Sequence, residues 1–313
     1  QLFIRKITGY ISFVEGGDLS SFPLRVYPID FEKDKSIINK IYPTYDINNH
    51  IIPDTEKKLI DYYTVTMNDN SIQKQVYDTC IQLKQKGKLK INLTDLQNLK
   101  LLDILNIVYP SSKTSNINED NIKYIINNNT GKKGILQIFN NVSSLPFTFK
   151  NSNWNDIFKL DHLENYSVKI HSICNKIKQS KNTVSLIYSE KIWSGIVPTA
   201  LALEEMGYSR LNKKNNLLKN NKIDGLNYIM ITGNKLLSKN NKDEIIAATS
   251  EDNKYGDKVK VIIISLAGAE GIDFKFIRNA FIIDPWYNMN RIEQIIGRCI
   301  REGSHLSLPP EKR

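Results

Sequence analysis

Residues 291–301 read R-I-E-Q-I-I-G-R-C-I-R, and this order sorts itself at helical spacing. Arg291, Gln294, Arg298 and Arg301 fall on one side, whereas Ile292, Ile295, Ile296, Cys299 and Ile300 fall on the other. Guanidinium groups held by a packed helix and facing a loop of small residues suit the charge that develops on a phosphoryl group in transfer. Such a loop lies just upstream. The apolar run 261–264 ends at Ser265 and is followed by Ala267, Gly268 and Gly271. A short apolar run bounded by a small-residue turn predicts a buried parallel strand, and α/β sheets hold ligands at that strand end. Residues 280–283 predict the next strand, stopped by Pro285, with the arginine helix starting near Asn290.

These residues carry a resemblance. AGAEGID at 267–273, DPWYN at 284–288 and QIIGRCIR at 294–301, in this order and spacing, resemble motifs five and six of superfamily 2 helicases and translocases. DPWYN leans toward the Swi/Snf-type branch, and the run through GSHLSLPPEKR resembles helicases of poxviruses and other large cytoplasmic DNA viruses. The resemblance implies an α/β fold: a RecA-like parallel sheet flanked by helices, the second motor lobe, after a mostly helical connecting region. It implies Arg298 and Arg301 as transition-state stabilisers, Arg301 being the stronger candidate for the finger, and Gln294 as a phosphate or water contact. Gly271 and Asp273 would lie near the nucleotide's ribose. Glu270 is grouped with them, its task undefined. Ser265, Ala267 and Gly268 would meet the nucleic-acid backbone, as would Ser189 and Lys191 in the loop of motif four. Arg298 has a second reading, an ion pair with Glu293 or Glu270.

ATP and Mg2+ are the cofactors so implied, the metal being held mainly by a first lobe. The Walker lysine and the acidic box belong to that lobe and are absent from this sequence. The chain, which starts at Gln1 and stops mid-pattern at Arg313, therefore reads as a fragment that does not hydrolyse ATP alone. Implied partners are nucleic acid, the first motor lobe and the transcription machinery, with no membrane, in a cytoplasmic, virus-type setting. The division expected is 1–158 for the trailing edge of the first lobe plus the connecting region, and 159–313 for the second lobe.

Composition is compatible. The chain has 313 residues, 41% hydrophobic and 24% charged, enough for one large domain or two smaller ones. A net charge of +10 favours a polyanionic partner, although an excess of Ile, Asn and Lys has compositional bias as its alternative source. Cys80, Cys174 and Cys299 lie far apart, as do the four histidines, so neither a disulfide framework nor a zinc spacing is present. No apolar run reaches the roughly eighteen residues of a membrane span.

In chain order, 2–14 reads as a strand followed by a turn. TGYISF at 8–13 and FPLRVYP at 22–28 resemble the close of the first motor lobe, the alternative being a surface loop. Residues 57–87 predict a pair of helices stopped at Gly87, and 93–105 continue helically to NIVYP at 106–110. The Asn-, Ser- and Lys-rich stretch 111–133 predicts a surface insertion without core. Lys132 and Lys133 between Gly131 and Gly134 could touch a phosphate, but no strand precedes them. Ser167 is the predicted N-cap of a helix whose face is Ile170, Ile173, Cys174 and Ile177. A strand at 183–188, a helix at 196–206 and a strand at 228–232 follow. YSVKI, LIYSE and GIVPTALALEEMGYSR resemble the family's segments around motif four. Trp193 reads either as a stacking platform or as packing against the neighbouring helix. Residues 212–222 predict a solvated loop. Asp243 and Glu244 read as helix N-terminal charge rather than a metal box.

Two rival functions remain on this sequence. A non-catalytic scaffold for nucleic acid or protein docking would not require Gln294, Arg298, Arg301 and Asp273. An unrelated nucleotide-binding domain would need a G-x-G-x-x-G turn, which does not occur.

Overall fold

The computed structural model describes residues 21–38, 44, 50–53, 61–89, 96–219, 226–239, 241–269, 271–284 and 289–313. The strand expected at 2–14 lies outside them. Four helices build the region before the sheet: α1 (Ile72–Gln85), α2 (Leu96–Asn106), α3 (Ile122–Asn128) and α4 (Gly131–Ile138). Ser71 caps α1 by accepting from the amide of Lys74 at 3.1 Å. Gly87, at φ +67°, closes the same helix. The Lys88 amide reaches back to the Leu83 carbonyl at 2.9 Å, a left-handed C-terminal turn that only glycine adopts without cost.

The sheet follows. Helix α5 (Val168–Gln179) leads into β1 (Val184–Tyr188), α6 (Val197–Glu205) and β2 (Ser209–Arg210). Then come β3 (Asn227–Ile231), α7 (Lys242–Thr249), β4 (Val261–Ile264), β5 (Ile277–Ile282) and α8 (Met289–Cys299). All pairings are parallel, in the order β2-β3-β4-β1-β5. Tyr188 stands beside Ile264 on one side and Ile282 on the other, so β1, β4 and β5 end level.

Alternation assigns the two faces of this sheet. Ile187, Tyr228, Met230, Val261 and Ile263 point into a core with α5 and α6, and Leu186, Ile229, Ile231, Ile262 and Ile264 point into another with α7 and α8. Strands covered on both faces must be apolar throughout, which is why V-I-I-I carries no polar residue. The result is a RecA-like three-layer lobe. Its first core continues into Ile107, Tyr109, Ile135, Phe139 and Phe158, so side chains on both sides of residue 158 pack together.

Several expectations are corrected. Among the described residues the pair of helices over 57–87 reduces to α1. Residues 61–68 are not helical: Tyr63 bridges to Ser36, and the Asp61 carboxylate is taken by Ser36 Oγ and the Ile29 amide, each at 2.6 Å. The stretch 111–133 is not without core: Ile122, Ile125 and Ile126 of α3 are buried against Val76, Cys80, Leu83 and Ile104. Its isoleucines sit at i, i+3 and i+4, a helical face that the surrounding asparagines obscure. Leu217 and Leu218 anchor the 212–219 loop, donating their amides to Glu204 at 2.8 and 2.6 Å. The last strand begins at Ile277, three residues before the apolar run predicted. A π-helical turn, Ile192–Ile196, precedes α6. No helix among the described residues is long and apolar enough to cross a membrane.

Candidate functional site

Helix α8 lays Ile295 and Cys299 into the sheet's second core and buries Ile292 as well, each at most 4% exposed, and this packing fixes its outward face. Gln294 is exposed on that face. Arg298 donates from Nη1 to the carbonyl of Ile272 at 3.2 Å. Arg301 places Nη2 2.8 Å from Asp273 Oδ1, both side chains about half exposed. Two guanidiniums thus converge on the link between β4 and β5. Arg301, however, lies beyond the last helical residue, Cys299, and reaches Asp273 from the turn that follows.

The expected alternative for Arg298 does not occur with Glu293. That carboxylate is held by Arg25, whose Nη1 and Nη2 lie 3.1–3.3 Å away. Glu270 falls outside the described residues. Arg291, at the start of α8, donates to Glu190 Oε1 at 3.0 Å and so ties the helix to the loop after β1. Gly271 adopts φ +74° with open space where a Cβ would be, so conformation rather than crowding demands glycine there.

The loops after β3, β4 and β1 rise side by side. Ser265 is buried, its amide bonded to the Ile231 carbonyl at 3.0 Å. Ala267 is exposed, and a Cβ built on Gly233 would stand 3.1 Å from it. Gly268 belongs to the single helical turn Leu266–Ala269. Ser189 corrects an expectation: it is fully buried, with its hydroxyl given to Asp284 and accepting from the Lys191 amide. Gly195 presses on it, since a Cβ there would fall 1.9 Å from Ser189 Oγ. Ser189 therefore offers no surface to a ligand and shapes the loop instead. Lys191 is partly exposed, its Nζ 4.0 Å from Asp103 Oδ1.

A polar centre unannounced by the sequence lies beneath this edge. The Asp284 carboxylate, just past β5, accepts from Ser189 Oγ, from Asn106 Nδ2 and from the Glu190 amide at 2.9 Å. Asn106, the last residue of α2, also accepts from Lys169 Nζ at 3.2 Å, and that ammonium donates to the Ile283 carbonyl at 3.0 Å. Burial lowers the pKa of Lys169, against the opposing pull of Asp284. The one hint in the sequence is an acid closing an apolar strand. Arg210 was likewise missed: it is fully buried, pairs with Glu244 at 3.1 Å and donates to the Leu237 carbonyl at 3.0 Å.

Trp193 is packed against the first core rather than standing free. The three cysteines are buried, and burial pushes each thiol up to about 12, so none is a reactive nucleophile. Among the described residues no group of three or more His, Cys, Asp or Glu side chains could hold a metal ion.

Residues 168–303, which contain β1 to β5 and both arginines, match the family model described as the helicase conserved C-terminal domain. This segment resembles a helicase C-terminal domain. Viral proteins are among its relatives. The chain is 33% identical over 178 residues to the termination factor NPH-I homolog of African swine fever virus, covering 48% of this chain and 25% of that protein. It is 30% identical over 268 residues to nucleoside triphosphatase I of Melanoplus sanguinipes entomopoxvirus, covering 82% of this chain and 37% of that one. The chain thus spans between a quarter and two fifths of the length of these relatives.

Proposed function

We propose that the protein supplies the second motor lobe of an ATP-dependent helicase or translocase that acts on nucleic acid in viral-type transcription. One observation carries the reading. Arg298 and Arg301 converge on the β4–β5 link, contacting Ile272 and Asp273 within the expected nucleotide-facing turn. The Arg301–Asp273 pair is half exposed, and such pairs are worth little, so a phosphate oxygen can displace the carboxylate at small cost. Gln294 would contact the phosphate or its attacking water, and Gly271 and Asp273 would border the ribose. Ser265, Ala267, Gly268 and Lys191 would line the nucleic-acid track; the Ser265 amide is held by Ile231, so the amides after it would do most of the work where the small residues let a phosphate approach.

The donor set fits one half of an ATP site. Two guanidiniums suit the transferring phosphate, but the sequence has no G-x-x-x-x-G-K-[ST] loop to cradle the rest. Mg2+ would accordingly belong to a partner lobe, where it neutralises charge on the phosphates. We assign residues 159–313 to the second lobe, and 1–158 to the edge of the first plus the connecting helices. Closure of the two lobes on nucleic acid would bring Arg298 and Arg301 to the phosphate, which makes hydrolysis depend on nucleic acid.

The test is Arg301→Ala in the full-length protein. Nucleic-acid-stimulated phosphate release is expected to fall about a hundredfold, with Arg301→Lys giving little rescue because an ammonium lacks the planar fork. Unchanged turnover removes Arg301 from the mechanism.

A further inference from the structure

Helix α4 carries a sequence, G-K-K-G, that the proposed site leaves unused. Its two glycines do different things. Gly131 starts the helix at φ +56°, whereas Gly134 is buried where no side chain fits: a Cβ there would stand 2.4 Å from Tyr109 Cδ2 and 2.6 Å from the Asn129 carbonyl carbon. Ile135 and Ile138 are fully buried beside it. The helix is therefore clamped to the body, and Lys132 and Lys133 are left exposed on its outer side.

What α4 packs against is the loop after β1. The Tyr109 hydroxyl, under Gly134, donates to the carbonyl of Trp193, and Lys132 Nζ lies 5.5 Å above the Trp193 ring. Ser194 bonds Asp103, the same carboxylate that lies 4.0 Å from Lys191 Nζ. Lys132 thus covers the Trp193 ring with Lys133 exposed next to it, and Lys191 approaches Asp103 from the same loop. This cluster stands at the C-terminal end of β1, level with the Ser265 turn after β4.

We propose that Lys132 and Lys133 form a phosphate-binding site that extends the nucleic-acid track from the lobe onto the connecting region. The proposal rests on the nucleic-acid reading of the loop after β1 given above. The ligand is the sugar–phosphate backbone, because exposed ammonium groups on a rigid helix read charge and spacing but no base edge. Trp193, half-buried under Lys132, positions that lysine and the loop.

The experiment uses the full-length protein and labelled 20-residue DNA and RNA oligonucleotides, single-stranded and duplex. Anisotropy titrations run from 50 to 200 mM salt. For Lys132→Ala/Lys133→Ala, affinity for whichever oligonucleotide the wild type binds is expected to fall roughly tenfold, and the slope of log affinity against log salt to shrink by about 2. Lys254→Ala/Lys312→Ala, at the opposite end of the strands and both over Tyr255, is expected to leave the slope unchanged. Wild-type slope and affinity in the α4 variant, or equal losses in both variants, would overturn the site while the motor reading survives. No binding by the wild type would overturn both.

Discussion

Glu204 is a buried carboxylate at the end of α6 whose oxygens accept from two backbone amides and, at 2.7 Å, from the Tyr228 hydroxyl. Burial pushes its pKa up to about 7, outweighing those bonds and the nearby Arg210 guanidinium. The native state therefore keeps a proton that the unfolded chain, near 4.5, has released. Bound protons in excess on the native side make stability fall as pH rises through that window. The contribution is present below pH about 4.5 and lost by about pH 7, an effect on the order of 3 kcal/mol. Urea titrations at pH 5 and pH 8 are expected to show this decline in the wild type and a flatter profile in Glu204→Gln. Parallel profiles would mean that Glu204 is ionised throughout.

The ends of α2, α5, β1 and β5 meet at Asp284, and that meeting sets the shape of the loop after β1. Asp284→Ala leaves Ser189, the Glu190 amide and Asn106 without their shared acceptor beside the half-buried Lys169 ammonium, so a loss of about 3 kcal/mol in urea stability is expected. Ser189→Ala removes one donor to Asp284 and the acceptor of the Lys191 amide, and should cost less, about 1 kcal/mol. A loss below 1 kcal/mol in Asp284→Ala would show that water replaces the carboxylate. This centre also marks where the amino-acid order stops being legible. The Ser167 cap, the Ile170–Ile173–Cys174–Ile177 face, the V-I-I-I strand and the α8 stripe could all be read directly, because each is written in adjacent or periodic residues. Asp284 gathers donors from positions 106, 189 and 190, and nothing local announces that convergence. Arg210 and Glu244 are separated in the same way, and a charged pair in a polar stretch resembles surface until burial is known. Isoleucines 122, 125 and 126 are hidden for a simpler reason: their helical spacing lies within an asparagine-rich stretch.

At the scale of the whole molecule, residues 21–38 strap the lobe across α5 and α8. Arg25 holds Glu293, Glu32 holds Lys176, and the Gly303 amide donates to the Ser21 carbonyl at 3.0 Å. Arg25 is stacked 4.7 Å from the Tyr27 ring. These are solvent-facing pairs, so Arg25→Ala is expected to cost under about 1 kcal/mol, and a loss above 2 in a urea titration would show that the strap carries the fold. The passage from β4 to β5 has a different character. It skips over β1 with a single helical turn, and beyond Asp273 it is pinned by two buried rings, Phe274 and Phe276. The Phe274 amide donates to the carbonyl of Arg298 at 3.2 Å. One backbone proton is thereby shared between the strip proposed to border the nucleotide and the helix that bears the guanidinium. Its exchange with deuterium becomes an isotopic gauge of any pivot of α8. Faster exchange at that single amide on adding nucleic acid would register the pivot, and an unaltered rate would mean that strip and helix travel as one piece.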